Sequence, residues 1–132
     1  MGYRYTTAPD LAEIEAMARD ALATIPPALR DKAADVVIRV EEFCDEETEA
    51  EMRLESPFEL LGLYRGVPFG QRSVSATPQH INMIFLYRRP LLDFWCETGE
   101  NLYDLIRHTL IHEIGHHFGF SDDDMERIEA EA

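Results

Sequence analysis

The first regular pattern of apolar residues lies near the N-terminus. Its members recur at spacings of three and four, the period of one helix face: Leu11, Ile14, Ala18, Leu22 and Ile25. Thr7, Pro9 and Asp10 form a helix-start pattern before them, and the pair Pro26 and Pro27 ends the helix. The pattern therefore predicts an amphipathic helix that covers one side of the core.

Three shorter apolar runs predict strands. Residues 36–40 are β-branched and almost wholly apolar, as in a strand buried on both faces, so we expect this strand at the centre of a small sheet. Residues 60–65 and 81–87 predict two further strands, with a polar loop at residues 70–78 between them. The acidic stretch 41–55 offers little apolar surface and predicts a solvated loop or an exposed helical turn.

The C-terminal third of the chain is predicted to be helical. Leu91, Leu92, Phe94 and Trp95 predict a short helix or turn that closes the core. A longer helix follows, which either Thr98 or Asn101 can cap and which should run to about Phe118. Its apolar residues occupy most of its circumference, so this helix is expected to be central.

The last predicted element is a short helix after Gly119. Glycine stops the long helix at low cost, and Ser121 with Asp124 three residues later forms a capping box for the next one. Taken together, the elements predict a single α+β domain over residues 1–132. About three strands would form a small mixed sheet, packed on the N-terminal helix and the central helix.

The charge balance narrows the range of partners. The chain has 12 Lys and Arg against 26 Asp and Glu, a net charge of -14, which repels phosphate backbones and anionic lipid. We therefore expect neither nucleic acid nor membrane as a partner. No secretory signal is visible at the N-terminus, and Cys44 and Cys96 are too few for a disulfide scaffold. A cytoplasmic protein with reduced cysteines is the expectation.

The candidate chemistry lies in the sequence His112-Glu113-x-x-His116. On a helix, two histidines four residues apart point within about 40° of each other, so one metal ion can bridge them. Glu113 lies about 60° from His116, beside the ion, where a carboxylate can take a proton from a metal-activated water. After Gly119 the chain can turn back so that Asp122 faces the ion. The spacing predicts a zinc site with two imidazoles and one carboxylate.

The longer pattern, His112-Glu113-x-x-His116-x-x-Gly119-x-x-Asp122, resembles the metzincin consensus of the zincin metallopeptidases, with Asp in place of the third His. It more closely resembles a family of small bacterial zincin-like proteins, predicted metallopeptidases of about this length that end soon after the motif. The resemblance implies a minimal zincin-like fold with Zn²⁺ as cofactor. It also implies that His112, His116 and Asp122 are the metal ligands and that Glu113 is the general base.

Two features stay open within this resemblance. Asp123 and Glu126 are alternatives to Asp122 as third ligand. The position of Asp122 needs no metal to explain it, because the helix dipole favours acids in the first turn of a helix. In zincins the strand before the active-site helix is commonly the sheet edge that binds an extended peptide. Residues 81–87 are the candidate for that edge, and an ordinary core strand is the alternative.

The expected function is zinc-dependent hydrolysis of peptide bonds in a peptide or protein substrate. The main alternative is a non-catalytic binding module in which zinc holds the last helix to the core; a zinc hydrolase acting on RNA is disfavoured by the charge. Tyr64, Tyr103 and His108 are candidates for stabilising the reaction oxyanion. His108 can also hydrogen-bond a carboxylate near the metal, and Gly115 inside the helix indicates that something packs closely there.

Overall fold

The computed structural model describes residues 7–69 and 79–131. The helices in these ranges are α1 (Leu11–Thr24), α2 (Pro27–Arg30), α3 (Glu46–Glu51), α4 (Arg88–Thr98), α5 (Leu102–His117) and α6 (Asp122–Ala130). The strands are β1 (Val37–Glu41), β2 (Gly62–Phe69) and β3 (Gln79–Tyr87). The predicted α+β architecture, with a small mixed sheet, a central helix and a short last helix, is confirmed.

The sheet has the strand order β1-β3-β2, with β1 parallel and β2 antiparallel to β3. The prediction that residues 36–40 form its centre is wrong, because β1 is an edge strand of the described sheet. Ile38 is its one buried residue, and Val37 is 43% exposed. The expectation that residues 81–87 form an edge is also wrong, since β3 pairs with a strand on each side. Apolar composition identified these strands but not their order.

The core is built around α5. Nine of its residues are buried, and the helix packs against α1, α4, α6 and β2. Ile106, Leu110 and Ile114 are fully inaccessible to solvent, as are Ile14 and Ala18 of the predicted stripe on α1. The helix is therefore apolar on most sides because it has neighbours on most sides.

Side-chain caps set the beginnings of the long helices. Asp10, a member of the predicted helix-start pattern, caps α1 and forms a capping box with Glu13. Asn101 caps α5 by accepting a hydrogen bond from the Asp104 backbone N–H at 3.1 Å. The predicted caps of α5 and α6 are both confirmed.

Other local predictions have mixed outcomes. α3 is the exposed helical turn expected in the acidic stretch. β2 runs through Gly66 and Pro68, beyond the end of the strand predicted at residues 60–65. The loop predicted at residues 70–78 lies outside the described residues. Cys44 and Cys96 are both free thiols. Within the described part of the chain, the helices lack either the length or the apolar character needed to cross a membrane.

The contact between α5 and α6 depends on Gly115. A β-carbon at this position would overlap the Sδ and Cγ atoms of Met125, a fully buried residue of α6. The close packing indicated by a glycine inside the helix is therefore present, and its partner is the last helix. The absence of a side chain at Gly115 lets α6 approach the histidine-bearing end of α5.

The substitution Gly115→Ala should lower the free energy of unfolding by about 1 kcal/mol. The higher helix propensity of alanine adds about 1 kcal/mol, but overpacking of a buried site costs about 1–3 kcal/mol. In a Met125→Ala background the overlap is gone, so the same substitution should then be neutral or stabilising. Urea denaturation of the four proteins in this double-mutant cycle measures the coupling, and equal effects in both backgrounds would contradict the packing described.

Candidate metal centre

The end of α5 carries three histidines on one stripe. His108, His112 and His116 are spaced by four residues, one turn apart. The helix ends at His117, and Gly119 adopts a positive φ of 79° that reverses the chain. The backbone N–H of Phe120 donates to the carbonyl of Gly115 at 2.8 Å and closes this turn. As a result α6 folds back alongside the histidine stripe.

The two predicted histidine ligands are neighbours in space. The rings of His112 and His116 lie 5.8 Å apart, centroid to centroid. The His112 side chain is 25% exposed, whereas His116, nearer the helix end, is 59% exposed. The site is therefore at the surface end of a buried helix, less enclosed than the apolar pattern of α5 led us to expect.

Asp122, the predicted third ligand, lies within reach of the second histidine. Its Oδ1 atom is 3.8 Å from Nε2 of His116, and its side chain is 88% exposed. Asp122 is also the first residue of α6, directly after the Ser121 cap. In the described part of the chain, the alternatives Asp123 and Glu126 form no hydrogen bond or ion pair with a histidine. The structure thus brings Asp122 to the pair of histidines more closely than either alternative.

Glu113, the predicted base, is partly buried. Burial raises the pKa of its carboxyl, while the charge of His116 and a hydrogen bond from the Tyr64 backbone lower it. That N–H cannot also bond to β3, so at Tyr64 the outer edge of β2 faces α5. Helix and sheet edge therefore meet at the carboxylate.

Tyr64 has a second role at this end of the helix. Its ring stacks on His117 at a centroid distance of 4.0 Å, while helix geometry turns His117 about 100° away from His116. Its hydroxyl is buried without a hydrogen-bond partner among the described residues, and burial raises its pKa. A substrate oxyanion would not reach a hydroxyl that is enclosed in this way.

Glu129 is a residue of this site that the sequence analysis missed. Its carboxylate lies 3.1 Å from Nε2 of His112 and 2.9 Å from Nδ1 of His108. The carboxylate contact expected for His108 is therefore present. An indication did exist in the sequence, because Asp122, Glu126 and Glu129 follow the helical spacing of four and three on one face of α6.

An open depression covers these side chains. It has a volume of about 680 Å³, and acids and histidines line it: His108, His112, Asp122, Glu126 and Glu129. A second depression of about 490 Å³ shares His108 and Glu129 with it and adds the apolar residues Leu61 and Phe94. Solvent can therefore reach His108 and His112 from this face of the protein.

A helix bearing two histidines four apart with an adjacent Glu, next to a sheet edge and followed by an acid-bearing helix, defines a zincin-type metal centre. Residues 33–132, which are 100 of the 132, match the family of zincin-like metallopeptidases. The chain belongs to this family, whose members bind a metal, typically zinc. Among curated proteins none matches it. The matched range contains all three strands and every residue of the site.

Arg107 connects the site to the rest of the fold. Although charged, it is only 8% exposed. Its guanidinium donates to Oγ1 of Thr24, at the end of α1, at 2.9 Å and to the backbone carbonyl of Glu129 at 3.4 Å. One side chain of α5 therefore ties together the ends of α1 and α6.

Replacing Arg107 with Met should lower the free energy of unfolding by about 1.5–3 kcal/mol, because hydrogen bonds from a charged donor contribute that much. Arg127→Met is the control. Arg127 pairs with Asp124 on the surface, its side chain is 74% exposed, and its removal changes the net charge equally. The control should change stability by less than about 0.5 kcal/mol. Equal losses in chemical denaturation would show that charge alone, and not the buried contacts, matters at Arg107.

Proposed function

We propose that this protein is a zinc-dependent metallopeptidase in which Glu113 is the general base. The observation that carries the proposal is the position of Glu113, partly buried between the imidazole pair and the edge of β2, with its pKa raised by burial. A base that works near neutral pH benefits from such a shift, since it can then both take and return a proton. The family to which the chain belongs supports the same chemistry.

The donor atoms fit zinc. Two imidazole nitrogens from His112 and His116 and a carboxylate from α6 are the ligand types that zinc takes in catalytic sites with three protein ligands. The motif spacing assigns the carboxylate to Asp122, and the structure also brings Glu129 to the imidazole of His112. When bound, the ion would polarise the scissile carbonyl and acidify the attacking water.

The residues of the chain would then divide the remaining tasks. Glu113 takes the proton of the attacking water and returns it to the leaving amine as the peptide bond breaks. The hydrogen bond from the Tyr64 backbone orients this carboxylate. An extended peptide would pair with the outer edge of β2 away from Tyr64, whose N–H bonds to Glu113, because β3 is already paired on both sides.

The substitution Glu113→Gln should lower the rate of peptide cleavage by about 10²–10⁴-fold, since it removes the general base without changing the shape of the side chain. Zinc content, measured by metal analysis, should stay at the wild-type value. Glu126→Gln removes a carboxylate from the same face of the protein and should leave cleavage unchanged. Wild-type rates in the Glu113→Gln protein, on a library of quenched fluorescent peptides, would refute the mechanism.

A non-catalytic, zinc-stabilised module is the second candidate. The contact between Glu129 and His112 favours it in one respect, because Asp122 and Glu129 together with both histidines would make four protein ligands. A closed tetrahedral shell is typical of structural zinc, as it leaves no position for water. The two functions therefore differ in how many carboxylates bind the ion.

Chelation should destabilise the wild-type protein under either function. Zinc at 100 times its dissociation constant adds about 2.7 kcal/mol to the folded state, which is about 10 °C in Tm for a domain of this size. The His116→Ala protein lacks one ligand, so its Tm should not respond to zinc or to chelator. Thermal melts with and without EDTA make the comparison. An equal response in both proteins would show that zinc does not bind at His116.

A further inference from the structure

We propose that the second depression, beside the metal centre, binds a lysine or arginine side chain of the peptide substrate. The protein would then prefer peptides that carry a basic residue near the cleaved bond. This inference rests on the proposed peptidase function and specifies its substrate class. The observations that support it are the position of the depression, its apolar walls and the acids that line it.

The depression, of about 490 Å³, adjoins the histidine stripe of α5. It shares His108 and Glu129 with the depression that covers His112, and His108 precedes that predicted ligand by one helical turn. One turn rises about 5.4 Å, which corresponds to between about one and two residues of an extended peptide. A substrate whose scissile bond lies at the metal can therefore place a nearby side chain in the depression.

The start of β2 lies on the other side of the depression. Leu61, directly before this strand, lines the depression together with Thr109 of α5. A β-carbon at Gly62 would lie 3.0 Å from Cγ2 of Thr109, so strand and helix are in contact here. This part of β2 precedes Tyr64, whose N–H bonds to Glu113. A peptide that pairs with the edge of β2 before Tyr64 would therefore pass the depression.

The walls of the depression suit the aliphatic part of a long side chain. Leu61, Phe94 and Leu105 supply its apolar surface, and Phe94 is 38% exposed. A ligand that covers exposed apolar surface removes it from water, which favours binding. Lysine and arginine have aliphatic stems that pack on apolar surface while the charged head stays hydrated. The depression can therefore hold such a stem.

The charge of the depression favours a basic side chain over an apolar one. Glu100 and Asp104 line it, and in the described part of the chain their backbone N–H groups form hydrogen bonds but their carboxylates form none. Asp104 lies in the first turn of α5, where the helix dipole stabilises a negative charge. The half-charge of the helix end is smaller than the combined charge of the two carboxylates, so a cation is attracted.

The test measures which residue the protein prefers near the cleaved bond. Pairs of quenched peptides differ only by Lys, Met or Glu at one position, are cleaved in competition, and the position is moved along the peptide on both sides of the bond. Methionine is unbranched like lysine but uncharged, so the ratio of kcat/KM for the two reports the effect of charge. Both peptides meet the same sample, so the ratio does not depend on how much protein is folded or holds metal.

The wild type should prefer Lys over Met by about 10-fold at one position, because two ion pairs at a partly exposed site together add roughly that factor. Glu should be disfavoured there. In Glu100→Gln/Asp104→Asn the preference for Lys over Met should fall to about 3-fold or less. Glu46→Gln/Glu47→Gln is the matched control, because it removes the same charge from the exposed first turn of α3. The control should keep the wild-type preference.

Two further measurements separate recognition from folding and from turnover. Glu100→Gln alone changes a residue between α4 and α5, outside both helices, and should lower the preference about 2–3-fold. In the Glu113→Gln protein, which should not cleave, fluorescence anisotropy should show about 10-fold tighter binding of the Lys peptide than of the Met peptide. This difference should shrink at high salt, because salt screens exposed charges.

Equal cleavage of the Lys and Met peptides at every position would overturn the inference and leave the proposed peptidase function standing. A Lys preference that survives in Glu100→Gln/Asp104→Asn would overturn it too. So would an equal fall in the control, which would assign the preference to the net charge of -14. Absence of cleavage of every peptide would refute the proposed function, and equal binding of both peptides by the Glu113→Gln protein would refute the inference.

Discussion

The packing of Met125 against Gly115 is the constraint on which the metal centre depends. Because Gly115 has no side chain, Met125 packs directly against α5 and α6 lies close to it. With α6 so close, a carboxylate in its last turn reaches an imidazole on α5. A larger residue at Gly115 would separate the acids from the histidines without altering any ligand.

Burial and exposure divide α5 into two functional halves. Its middle is surrounded by α1, α4 and the sheet, so it is rigid and carries Arg107, which binds two other helices. Its end emerges at the surface with His116 and His117. Glu113 lies at the boundary, where burial shifts its pKa but the sheet edge supplies a hydrogen bond. The buried middle of α5 thus holds Glu113 and His116 at the surface end of the same helix.

Local sequence signals predicted most of the helices and the position of the two histidines. Caps such as Asn101 and the turn at Gly119 act through neighbouring residues, and a spacing of four fixes His112 and His116 on any helix. The strand order could not be predicted in the same way. It depends on pairing between β1 and β3, which are distant in sequence, and apolar composition does not specify a partner. Glu129 was missed for a similar reason, because its contact depends on how two helices pack.

The histidines and acids of the site nevertheless come from one continuous stretch of the chain. His108 and Glu129, its outermost members, are 21 residues apart, whereas the parallel pair of Ile38 and Ile84 joins positions 46 residues apart. Closing the shorter loop costs less conformational entropy, and contacts of short sequence separation form sooner. The helical hairpin can therefore gather its donor atoms before the sheet is complete. An ion captured at that stage would act on the order of folding events as well as on the finished protein.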